Sequence, residues 1–196
     1  MKNPALVVVD MLYDFIDGTL ACQNAENAVD ETVRFIDKMT SGQEGDGNEE
    51  ILDTFPILFV CDHHPADHCS FKENGGTWPP HCIQGTRGGQ IHEKLLPYVQ
   101  DGLTFFKGND PAHEQYSGFE ATNAAGQSLG DIMGLLDTTD AYVCGIATEF
   151  CVRSTCEDLL KAGMKVHLIS PALAWVDAQG HRKALAEMAS EGISVE

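Results

Sequence analysis

The sequence predicts an α/β fold, a three-layer sandwich whose mainly parallel central sheet is covered by helices on both faces. Three observations predict it. Short apolar runs recur along the chain, and each stops abruptly at a charged, polar or small residue, as strands buried on both faces do. Amphipathic stretches of helical period lie between these runs, and that alternation is the pattern of parallel strands joined by right-handed crossovers. With 196 residues, 43% of them hydrophobic, the chain can build one sizeable core, so residues 1–196 are expected to form a single domain.

The first strand is Ala5-Leu6-Val7-Val8-Val9, largely β-branched, and it ends at Asp10. A helix follows over Glu26 to Met39, where Val29, Val33 and Ile36 form one stripe. The polar stretch Ser41 to Glu50 reads as a mobile loop or helix end, because it has no apolar face to bury. Phe55 to Cys61 is the second strand and stops at Asp62; Leu103 to Phe106 is the third and stops at Lys107. A helix over Gly130 to Leu136 leads to the fourth strand, Ala141 to Cys144, which stops at Gly145. The helix Phe150 to Ala162, the strand Val166 to Ile169 and the helix Ala178 to Ser190 complete the pattern. Gly75-Gly76 and Gly88-Gly89 signal turns, and no glycine motif for phosphate occurs.

Composition narrows the partners. Thirty acidic residues against 12 basic ones give a formal charge of −18, which opposes contact with nucleic acid or an anionic membrane. A small-molecule substrate fits better. No run approaches the roughly 20 apolar residues of a membrane span, and no secretory h-region precedes the first strand, so a cytoplasmic protein is expected. Assembly into a homo-oligomer is compatible with the sequence. The seven cysteines are odd in number, widely spread and without a Cys-x-x-Cys pair, which argues against both a disulfide framework and a zinc ribbon.

In an open parallel sheet the ligand crevice lies at the carboxyl ends of the strands. Asp10, Asp62 and Lys107 each follow a strand directly, and Cys151 follows the fourth strand by a short turn into a helix, so the four are expected to converge. Cys151 is the candidate nucleophile, Asp10 the general base and then acid, and Lys107 the cation that favours thiolate and orients the carboxylate. The helix N-terminus is expected to lower the thiol's pKa and to offer N–H groups to an oxyanion.

A second constellation is Asp62-His63-His64-Pro65-Ala66-Asp67-His68, followed by Trp78-Pro79-Pro80-His81-Cys82. On an extended chain, residues i and i+2 project to one side, so Asp62 and His64 can share an ion while His63 points away, and His81 can close the site. One carboxylate and two imidazoles suit Zn²⁺ best, with Fe²⁺ or Mn²⁺ as alternatives; His68 is a further ligand candidate. A solvated polar loop whose histidines bind nothing is the competing reading. His92, His113, His167 and His181 lie outside the cluster and are expected to be structural. Phe15, Trp78 and Tyr116 are candidate walls for a flat ring.

These stretches resemble the nicotinamidases, or pyrazinamidases, of the cysteine-hydrolase superfamily that includes the isochorismatases. The resemblance runs through Val8 to Phe15, Asp62 to Phe71, Gly76 to Thr86, Phe106-Lys107-Gly108, Tyr116 to Phe119 and Gly145 to Val152, in family order over nearly the whole chain. It implies an isochorismatase-like fold and hydrolysis of nicotinamide to nicotinate and ammonia, for NAD salvage, through a thioester on Cys151. It places Asp10 and Lys107 at the other triad positions and Asp62, His64 and His81 at the metal positions, with His68 the match to an additional ligand in some members. It further implies a cis peptide at Ile146-Ala147, an oxyanion hole from the N–H groups of Ala147 and Cys151, and substrate contacts at Ile146 and Ala147. His63 departs from the family, where many relatives carry a large aromatic residue, and leaves open which of His63 and His64 coordinates. Deamidation of pyrazinamide, or of another small amide by a related amidohydrolase, also falls within what the resemblance allows.

Overall fold

The computed structural model describes residues 3–41 and 55–196. Six strands, β1 (Pro4–Val9), β2 (Ile57–Asp62), β3 (Thr104–Lys107), β4 (Asp140–Gly145), β5 (Lys165–Leu173) and β6 (Ser194–Val195), form one sheet in the order β3-β2-β1-β4-β5-β6. Every pairing is parallel, as the unbroken apolar runs require: β1, β2 and β4 are almost wholly buried. The five expected strands are all present, shifted by a residue or two at their ends. Asp62 and Lys107 close their strands instead of following them, and β5 runs four residues further than its apolar core. The short edge strand β6 was not anticipated.

The helices are α1 (Tyr13–Ile16), α2 (Ala25–Ser41), α3 (Leu129–Leu135), α4 (Arg153–Lys161) and α5 (Ala178–Ser190). Alternation along β1 assigns them to two layers. Leu6 and Val8 pack with Ala28, Val29 and Ile36 of α2, whereas Ala5, Val7 and Val9 pack with Met133 of α3, Leu159 of α4 and Met188 of α5. The fold is therefore the predicted three-layer sandwich. The helix expected from Phe150 begins instead as a wider π-type turn over Thr148–Val152 and becomes α-helical at Arg153. Of the polar stretch Ser41 to Glu50, Ser41 ends α2 and the rest lies outside the described residues.

Strand order reverses between β1 and β4, which open the sheet's carboxyl edge into a crevice. Gly145 makes that edge possible. Its φ is +135°, and a Cβ there would collide with the Val9 backbone.

Candidate active site

Four neighbouring strands each deliver one group to the crevice. Asp10 follows β1 at the left-handed φ of 51°, Asp62 and Lys107 end β2 and β3, and Cys151 sits in the turn after β4. The Lys107 Nζ lies 2.9 Å from Asp10 Oδ2, contacts Asp62 Oδ1 and donates to the Cys151 Sγ at 3.4 Å. All four side chains are buried. Asp10 Oδ1 accepts the Asp62 N–H at 2.8 Å, which ties the Asp10 side chain to the Asp62 backbone. Asp10 Oδ2 meets Lys107 as an ion pair, without an aligned hydrogen bond.

These charges set the protonation states. Burial, then the charge of Asp62, raises the Asp10 carboxyl to about 6 against the pull of Lys107. Burial also acts on Asp62, but Lys107 and His64 outweigh it and hold that carboxyl well below the usual range. Burial opposes the charge on Lys107, yet Asp10 and Asp62 keep the ammonium charged. The expectation of a lowered thiol is not met: burial pushes Cys151 well up, Asp10 and Asp62 add to this, and Lys107 only partly offsets it. The resting pair is a thiol beside an ionisable carboxylate, a pair suited to moving the proton at the moment of attack.

Beside this group lies a candidate metal site. Asp62, His64 and His81 present ligand atoms within 4.8 Å of one another. His64 Nδ1 faces the Gly108 carbonyl at 3.1 Å and His81 Nδ1 the Pro79 carbonyl at 2.8 Å. A carbonyl can only accept, so both rings carry a proton on Nδ1 and turn Nε2, the atom a neutral imidazole would offer to an ion, towards Asp62, at 3.5 and 3.9 Å from Oδ2. That orientation fits a divalent cation bound by one oxygen and two nitrogens. His81 reaches the site because its loop pairs with the chain at His64: the His64 N–H donates to Cys82 O, and the Gln84 N–H to His64 O.

His63 lies on the opposite side, with Nδ1 2.9 Å from Asn109 Oδ1 and its ring against Phe106, as the period-two spacing requires. His68 packs against His64 with the rings tilted, but both its ring nitrogens have other partners. Nε2 faces the His113 carbonyl at 3.1 Å, and Nδ1 accepts the Ser70 N–H at 3.2 Å. In this tautomer no lone pair remains for an ion. His92 caps a short helix, His167 contacts Asp140 and Glu196, and His181 stacks on Trp175.

The isochorismatase domain family matches residues 4–196. The nicotinamidase of Escherichia coli K12 is 30% identical across 100% of this chain and 95% of its own length. The chain belongs to the nicotinamidase family. It is an amidohydrolase of the isochorismatase-like superfamily. The nicotinamidase/pyrazinamidase of Mycobacterium tuberculosis is 29% identical over 97% of both chains. Among solved structures, a Pyrococcus horikoshii pyrazinamidase in complex with zinc superposes with a TM-score of 0.84 at 33% identity, covering 99% of this chain and 98% of that one. A structure from L. infantum in complex with nicotinate has a TM-score of 0.82 at 30% identity, covering 98% and 91%.

Over this amidohydrolase's thiol lies a cleft with about 370 Å³ of space, its open mouth included. Phe15, Trp78, Tyr116 and Ala147 line it, as do Asp62, His81 and Cys151. The Trp78 Nε1–H donates to the Tyr116 hydroxyl at 3.2 Å, and both rings pack on Phe150, at 5.0 and 5.6 Å between centroids. Ile146 does not reach the cleft: its side chain is wholly buried in the core. The Ile146–Ala147 peptide is cis. The Ala147 carbonyl accepts the N–H groups of Phe150 and Val152, passing over that of Cys151.

The sequence did not point to Leu20, Cys22, Glu114, Phe150 or Val176, which complete the lining. Leu20, Cys22 and Val176 arrive together because Gln23 and Trp175 exchange backbone hydrogen bonds at 2.8 and 3.1 Å across the fold. Glu149 Oε1 accepts the N–H groups of Val176 and Asp177, at 2.9 and 2.8 Å, and so fastens the turn that carries Cys151 to the same wall. Asp14 was also missed. Its Oδ2 accepts the Cys82 N–H at 2.7 Å and steadies the loop that carries His81.

Proposed function

We propose that this protein hydrolyses nicotinamide to nicotinate and ammonia through a thioester on Cys151. The observation that carries the reading is one buried ammonium, Lys107, in contact with Asp10, Asp62 and Cys151, so that a nucleophile with its base and a metal site share one pocket.

Cys151 Sγ attacks the carboxamide carbon as its proton passes to Asp10, whose raised basicity suits that transfer near neutral pH. The developing oxyanion takes the N–H groups of Ala147 and Cys151. Asp10 then returns the proton to the amide nitrogen, the C–N bond breaks and ammonia leaves a thioester. Water adds to the thioester carbon, giving a proton to Asp10, and collapse expels the Cys151 sulfur, which recovers that proton as the acid product leaves. Lys107 keeps Asp10 ionised between proton transfers and steadies the sulfur as it gains charge.

Asp62, His64 and His81 would hold the divalent ion, with zinc the best match to the donor set. When bound, it supplies a Lewis-acidic position for a pyridine nitrogen. Phe15, Trp78 and Tyr116 border the ring, and the Trp78–Tyr116 hydrogen bond fixes the planes of two of them. Pyrazinamide presents the same carboxamide and a nitrogen at the same ring position, and is a second substrate on this reading. The activity belongs to NAD salvage in the cytoplasm; among the described residues no helix is long and apolar enough to cross a membrane. Ammonia release from nicotinamide, measured for wild type, Cys151→Ala and chelated protein, tests the proposal. Release that needs both the thiol and the metal is expected. A metal-loaded wild type that releases none would refute it and point to another small amide.

A further inference from the structure

We infer that Glu114 is a specificity-determining residue whose carboxylate disfavours anionic ligands, so that the pocket selects neutral aromatic amides over their carboxylate counterparts and sheds its acid product. The inference rests on the nicotinamidase reading and deepens it.

The charged side chains that line the pocket are of one sign. Its lining holds two carboxylates, Asp62 and Glu114, and among the described residues no lysine or arginine. Asp62 faces the buried Lys107, but no side chain among the described residues pairs with Glu114. Most of the remaining lining is apolar or aromatic, including Phe15, Trp78, Phe150 and Val176. A half-buried carboxylate in such a wall carries a desolvation cost that a neutral residue would avoid. Burial and the charge of Asp62 do push this carboxyl up.

The chain around Glu114 is also pinned. On one side the His113 carbonyl faces His68 Nε2 at 3.1 Å, and the Pro111 carbonyl accepts the Cys69 N–H at 2.8 Å. On the other, Gln115 Oε1 accepts the Gly108 N–H at 3.1 Å, and the Gly118 N–H donates to Thr155 Oγ1 at 2.9 Å. His68 thereby gains a purpose outside metal binding, because it anchors the segment that carries the charge.

Hydrolysis turns a neutral amide into an anion inside this pocket. A fixed negative charge on the wall acts little on the substrate and repels the product, and it equally opposes substrates that carry carboxylates of their own. The same reasoning separates this pocket from one built for an anionic substrate, which would need an exposed cation.

The test compares equilibrium binding of nicotinamide and nicotinate to the metal-loaded protein, with wild-type Glu114, Glu114→Gln or Glu114→Asp each carried in a Cys151→Ala background that leaves the amide intact, at matched metal content so that the ion's charge cancels. Glu114→Gln should raise affinity for nicotinate relative to nicotinamide by roughly fivefold, the scale of one charge removed at the mouth of a solvated pocket. Glu114→Asp should keep the wild-type ratio, which separates charge from shape. A ratio unmoved in Glu114→Gln, or moved as much in Glu114→Asp, overturns the inference alone. A Cys151→Ala protein with wild-type Glu114 that binds nicotinamide no better than nicotinate also overturns it, and a wild type that neither binds nor hydrolyses nicotinamide overturns the functional reading with it.

Discussion

Replacing Lys107 by methionine, which keeps the stem and removes the charge, should make stability fall with rising pH. In the wild type the ammonium lies 2.9 Å from Asp10 Oδ2. At an effective dielectric of about 20, that contact amounts to roughly 5.7 kcal/mol. Its loss corresponds to about four pH units of proton affinity, enough to keep Asp10 protonated throughout the neutral range. Wild-type Asp10, raised to about 6, has shed its proton by pH 8 in both folded and unfolded chains, so it contributes little slope between pH 6 and 8. In the variant the folded chain holds one proton more than the unfolded chain over that interval, so folding weakens by about 1.4 kcal/mol per pH unit, or some 2.7 kcal/mol from pH 6 to pH 8. Urea unfolding of the chelated proteins at both pH values reads this as a difference of differences. Parallel curves, with the variant shifted equally at pH 6 and pH 8, would refute the assignment of Lys107 as the group that keeps Asp10 ionised.

Three further outcomes are expected. Gly108→Ala should lower metal content and destabilise by about 1–3 kcal/mol, because φ is +68° and the added Cβ would strike the His64 ring; full zinc occupancy by elemental analysis would contradict this. Asp62→Ala combined with His64→Ala should abolish stoichiometric metal binding in titration calorimetry, and retained binding would move the site elsewhere. With a formal charge of −18, the protein should melt several degrees higher in 1 M than in 0.05 M potassium chloride, and an unchanged midpoint would show that self-repulsion does not limit its stability.

The sheet was legible because β1, β2 and β4 are buried on both faces and so read as unbroken apolar runs. β6 was not, since two exposed residues, Ser194 and Val195, carry no pattern. The residues that end strands were legible for the same reason as the strands: Asp10, Asp62 and Lys107 stand where apolar sequence stops. The apolar wall of Leu20, Cys22 and Val176 was not, because its parts meet through the Gln23–Trp175 pairing, and no local period records a contact between residues so distant in sequence. Glu114 resembles any surface glutamate until the fold turns it into the pocket. The expected lowering of the Cys151 thiol did not hold, since burial and the charges of Asp10 and Asp62 push it up against the pull of Lys107.

The reversal of strand order has a consequence for synthesis. β1 lies at the centre of the sheet, paired early with β2 but on its other side with β4, which ends at Gly145. On the ribosome, at about 5–20 residues per second, one edge of this apolar strand stays unpaired for roughly 4–17 s after β2 has emerged. During that interval the nascent chain presents a bare β edge of Val7, Val8 and Val9, the kind that recruits another copy. Asp10 stands directly after it and ends the apolar run with a charge.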